Sequence, residues 1–134
     1  MICDNEKLLS LHRYFIWANK MRTHFDEYAM KADLTQSQSQ MDLMMYMSYW
    51  YGTLYTVVEG WRELNFSDSK IDSLIDSSTI ELLRRYRNGV FHYQQNYSDN
   101  RFTDLYAEGK NAVVLIRELN EELGRYFLEK MKVT

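Results

Sequence analysis

An all-α fold, a bundle of four long helices with one short extra helix, is predicted by two features of the sequence. Four long segments carry apolar residues at a spacing of three and four, and no segment alternates at period two over a useful length. A third observation sets the scale: 134 residues, of which 46% are hydrophobic, fit one domain over residues 1–134 with a core of its own.

The first helix is expected from Glu6 to about Lys31, with Leu8, Leu11, Phe15, Ala18, Met21 and Phe25 on its buried side. Ala32 to Gln40, containing Q-S-Q-S-Q, reads as a polar loop, and Ser39 with Asp42 forms a capping pair for the second helix. That helix, about Met41 to Leu64, has an apolar stripe of Leu43, Met47, Trp50, Leu54, Val57 and Trp61. Its other sides hold Met44, Met45, Tyr46, Tyr49, Tyr51 and Tyr55. A helix apolar nearly all round is buried on more than one side, either between a core and a second subunit or at the centre of a monomer. Glu59 lies opposite the stripe, near Gly52 and Ser48. Burying its carboxylate requires a cation, for which Arg87 is the candidate; otherwise Glu59 faces water.

Asn65 to Ser78 is rich in Ser and Asp and holds a short helix over Ile71 to Ile75. The next helix begins at Ser78, which makes a capping box with Glu81, and is broken by Asn96 to Asn100. Phe102 to about Met131 forms the last helix, with Leu105, Ala112, Leu115, Leu119, Leu123 and Phe127 inward and a solvated face of alternating charge. All five glycines fall inside expected helices, where each costs roughly 1 kcal/mol relative to Ala. Close approach of helices, or of a substrate backbone, near the motif is the reason expected for Gly52, Gly60 and Gly89. Gly109 and Gly124 read as tolerated.

Chemistry concentrates in S-T-I-E-L-L-R-R-Y-R-N-G-V-F-H-Y-Q-Q-N-Y, residues 78–97. Ile80, Leu83, Tyr86 and Val90 make its core face, whereas Glu81, Arg84, Arg85, Asn88 and His92 lie opposite. Asn88 and His92 fall about 40° apart on a helix. Arg87 sits at the border between the faces, so its stem can be buried while its guanidinium reaches out. On a straight helix Arg87 and His92 are about 140° and about 7.5 Å apart, so a site joining them needs helix distortion or a second copy. An Arg that holds phosphate, a His that moves a proton near neutral pH and an Asn beside them suit RNA cleavage without a metal.

The Arg-Asn-x-x-x-His run, six residues within a short helical chain, resembles the HEPN superfamily of toxin and defence ribonucleases. The resemblance implies a HEPN-like four-helix bundle that dimerises so that two motifs face each other. It also implies a metal-independent endoribonuclease site of Arg87, Asn88 and His92, working with an antitoxin or defence partner protein. One subgroup carries a tyrosine two places after the histidine. Here Tyr93 follows His92 directly and Gln94 stands at that place.

A net charge of −3 excludes a protein held on nucleic acid by bulk charge. RNA contact is therefore assigned to a local cluster, Arg84 and Arg85 beside Arg87. Cys3 is the single cysteine, which fits a reducing compartment and leaves no intrachain disulfide; near a terminus it is a poor nucleophile. His12 and His24 form no Glu-x-x-His or His-x-x-x-His pair, so neither a metal nor another cofactor is expected. Asp4, Glu6 and Lys7 interrupt any secretory leader, and the 16 uncharged residues from Leu43 to Val58 fall short of the ~20 needed to span a bilayer. A cytoplasmic protein without a membrane partner is expected. Three classes of function fit: a ribonuclease, a catalytically inactive HEPN-like relative that binds RNA or a nucleotide, and a helical interaction protein. RNA cleavage by wild type and His92→Ala separates the first from the rest; salt-dependent RNA binding separates the second from the third.

Overall fold

The computed structural model describes residues 4–132, which leaves Cys3 outside. Among the described residues there are six helices and no strand: α1 (Asp4–Lys31), α2 (Ser37–Glu63), α3 (Ser69–Ile75), α4 (Ser78–Phe91), α5 (Asn100–Glu108) and α6 (Lys110–Met131). The all-α expectation holds. Two long helices, α1 and α2, form an antiparallel hairpin; α4 also packs on α2, α5 on α4, and α6 closes against α1, α3 and α5.

The turn between α1 and α2 is shorter than the sequence suggests. Asp33 accepts hydrogen bonds from the backbone N (3.1 Å) and hydroxyl (2.6 Å) of Thr35, tightening the chain so that α2 begins at Ser37. Asp42 does not cap α2, because its carboxylate is taken by the Tyr28 hydroxyl (3.1 Å) and Gln38 (2.9 Å). Asp68 caps α3 by accepting from the Ile71 N–H at 3.1 Å, and Arg125 of α6 binds the same carboxylate at 2.8 Å. The cap of α4 is Ser77 rather than Ser78: its hydroxyl accepts from Thr79 N at 3.2 Å, and Glu81 pairs with Arg84 instead of closing a capping box.

The core is aromatic and centres on α2. Trp50, Trp61, Tyr86, Leu54, Leu83, Ile116, Leu119, Leu123 and Phe127 are almost wholly buried, each stabilising the fold by about 1.5–3 kcal/mol relative to exposure. The all-round apolar reading of α2 holds for one half of it. Tyr51, Tyr55, Val57 and Val58 are buried, whereas Met41, Met44, Met45 and Tyr49 stand exposed toward the other end.

The long last helix expected over Phe102 to Met131 is two helices. Gly109, at φ 56° and ψ −127°, ends α5 and starts α6, a conformation that L side chains rarely adopt. It is a required hinge and not a tolerated glycine. Gly52, Gly60 and Gly89 do mark close approaches: a Cβ on them would lie 2.6 Å from the Phe91 ring, 2.5 Å from Leu11 and 3.0 Å from the Phe102 ring respectively. Gly124 faces Phe15 at ordinary contact distance.

Candidate functional site at the end of α4

Ile80, Leu83 and Tyr86 of α4 are buried and Val90 is half-buried, which fixes the rotation of the helix and turns Arg84, Arg85 and Asn88 outward. Arg87 lies at the seam with α2. Its guanidinium meets the Glu59 carboxylate in a two-pronged pair, Nη1–Oε1 and Nη2–Oε2 both 3.3 Å. It also stands 4.9 Å from the centre of the Tyr55 ring, and its Nε donates to Asn88 Oδ1 at 3.2 Å. The fork fixes the guanidinium plane, and the ring supports one face. Glu59, Arg87 and Asn88 thus form one connected cluster in which Arg87 is 20% exposed and Glu59 54%.

His92 stands apart from it. The helix stops at Phe91, and His92 is already extended (φ −124°, ψ 121°), its backbone N donating to Asn88 O at 3.0 Å. His92 thus keeps the α-helical bond to Asn88, one turn back, while its own backbone leaves the helix. Two contacts end the helix there. The Phe91 ring lies on the bare backbone of Gly52 and near Tyr49, 6.1 Å between ring centres. Beyond it, Gln94 donates to His92 O at 2.7 Å and accepts from Arg101 Nη1 at 2.9 Å, while Arg101 also holds Asp99 at 3.0 Å. This clasp draws the chain toward α5 and leaves the His92 side chain exposed, with no hydrogen bond among the described residues.

Arg84 is bound to Glu81, and Arg85 to Asp104 and to Asn100 at 2.7 Å. With Glu59 on Arg87, every arginine of the motif face has a carboxylate partner, so the patch carries little net charge. Such surface pairs are worth about 0–1 kcal/mol, which a phosphate can displace. A row of hydroxyls behind the motif went unread in the sequence: Tyr86 Oη lies 2.8 Å from Ser48 Oγ and 3.1 Å from Tyr106 Oη. Burial pushes the Tyr86 hydroxyl well above the ordinary phenol range and raises that of Tyr106. Its signal in the sequence was a tyrosine, rather than an aliphatic residue, on the core face of α4.

Among the described residues no group of three His, Cys, Asp or Glu side chains is placed to hold a metal ion, and no helix is long and apolar enough to cross a membrane. No protein-family model, curated protein or solved structure matches the chain.

Proposed function

We propose that the protein is a metal-independent endoribonuclease of the HEPN type, of the toxin or defence kind, whose site combines residues of two copies in the cytoplasm. The observation that carries this reading is the Glu59–Arg87–Asn88 cluster at the end of α4, followed by an exposed His92. Among the described residues of one chain the His92 side chain has no hydrogen-bond partner, and in this reading a second copy supplies both a facing Arg87 and a second histidine. One imidazole takes the proton of the ribose 2′-hydroxyl, and the 2′-oxygen attacks phosphorus. The bond to the 5′-oxygen breaks, and the other imidazole protonates that leaving oxygen. Arg87 stabilises the charge developing on the phosphate, with Asn88 holding its orientation. The products carry 2′,3′-cyclic phosphate and 5′-hydroxyl ends. Arg84 and Arg85 serve as contacts for the RNA backbone.

The test is cleavage of single-stranded RNA in EDTA. Wild type should cut RNA but not DNA, and His92→Ala and Arg87→Ala should each reduce the rate at least 100-fold with unchanged helicity. Cutting unchanged in His92→Ala would remove the proposal. A second reading is favoured by the carboxylate matched to each motif arginine: an inactive HEPN-like RNA- or nucleotide-binding protein, or a helical interaction protein. It is selected if wild type never cuts, and salt-dependent RNA binding then divides its two forms.

A further inference from the structure

Near His92 the chain forms a half-open cavity of about 390 Å³ between the first half of α2, the end of α4, the 93–98 segment and α5. Tyr93, Tyr97 and Phe102 give it aromatic surface, and Met41 and Met44 flexible apolar surface. No Asp, Glu, Lys, Arg or His lines it. Ser48 and Tyr106 do, and both hydrogen-bond to the buried Tyr86 hydroxyl, so polar groups are fixed in a mostly apolar hollow. Gln94, another lining residue, is held by His92 O and Arg101.

These features restrict the occupant. The absence of charged walls excludes a phosphate or carboxylate, since a buried anion needs a cation or several donors. The volume lies near the lower end of small-molecule pockets, about 300–1,000 Å³, and is too small for a helix. Ring faces combined with fixed hydroxyl and amide groups suit a flat, neutral group with hydrogen-bonding edges. An unpaired base in RNA is recognised by that combination of stacking and edge contacts.

We propose that this cavity receives one unpaired nucleobase of a single-stranded RNA whose adjoining phosphate lies at His92. The inference rests on the ribonuclease reading of His92 and adds to it a subsite for the base. Tyr93, which lines the cavity, follows His92 directly in the chain, so the cavity begins one residue from the proposed cleavage point. Tyr93 and Tyr97 are 92% and 83% exposed, so their rings are free to close over an incoming base and their removal leaves the core unchanged.

The experiment uses a 2′-O-methyl hexanucleotide, which cannot be cut by 2′-oxygen attack, and the same oligomer with an abasic site moved through each position. Tyr93→Ala and Tyr97→Ala should each weaken binding about tenfold, the scale of one lost base stack, with unchanged melting temperature. One abasic position should weaken wild type by a similar factor and have little further effect on Tyr97→Ala. The proposal is overturned by variants that bind like wild type, by an abasic scan with no sensitive position, or by no oligomer binding at all. It is also overturned if Tyr97→Ala turns a dimer into a monomer in sedimentation without RNA, which assigns the cavity to a second copy. Cleavage of unmodified RNA is read separately. Cutting with no abasic signature removes the base pocket and leaves the ribonuclease, whereas an abasic signature without cutting supports the pocket and removes the ribonuclease.

Discussion

Asn120 of α6 is 3% exposed, and its amide is used on both sides. Its Oδ1 accepts from Trp50 Nε1 at 3.0 Å, and its Nδ2 donates to Asn19 Oδ1 at 3.0 Å. Asn120→Leu keeps the branched shape but leaves a buried indole N–H unpaired, so urea unfolding should show a loss of about 1–3 kcal/mol. Glu59 gives a different balance. Its pair with Arg87 is half exposed, and Glu59→Gln should cost at most about 1 kcal/mol in the same measurement. If Glu59 sets the plane of Arg87, RNA cleavage should fall clearly more in Glu59→Gln than in Glu63→Gln; equal effects would remove that role. The Glu59–Arg87 pairing was legible because each residue stands where an apolar stripe meets a polar face. Asn120 was not, because its partners are 70 and 101 residues away and nothing local separates it from the charged face around it. The position of His92 was hidden for a related reason: α4 ends where Gly52 and Arg101 act on it, and both lie on other elements.

At the scale of elements, periodicity located the helical segments and missed where one of them breaks. Leu105 and Ala112 are seven apart and both buried, so the apolar phase runs through Gly109 as though one helix continued. The break lies in a backbone angle, and a sequence pattern does not report angles. A Cβ at Gly109 meets nothing within 4 Å, so any cost of adding one is conformational. Gly109→Ala should therefore destabilise the protein by about 1–3 kcal/mol, seen as a lower urea midpoint with an unchanged slope. A smaller loss would mean that α5 and α6 straighten into one helix. The start of α2 was likewise set by the Asp33–Thr35 turn, whose effect a capping pattern at Ser39 could not anticipate.

For the molecule as a whole, Met45, Tyr49 and Phe91 remain 44%, 46% and 50% exposed on one region next to the motif. The proposed composite site requires an interaction surface, and this patch is the candidate for it. Sedimentation at micromolar concentration should show a dimer, and Met45→Glu should give a folded monomer that no longer cuts RNA; a wild-type monomer would exclude the two-copy site. The links between α6 and α1 carry a consequence in time. Arg117 pairs with Asp26 at 2.6 Å across 91 residues, and Asn120 reaches Asn19 across 101. On a ribosome adding roughly 5–20 residues per second, the 70 residues separating Trp50 from Asn120 take about 4–14 seconds to make. Throughout that interval the nascent α1–α2 hairpin waits with the indole N–H of Trp50 still lacking the Asn120 side chain that accepts from it in the finished bundle.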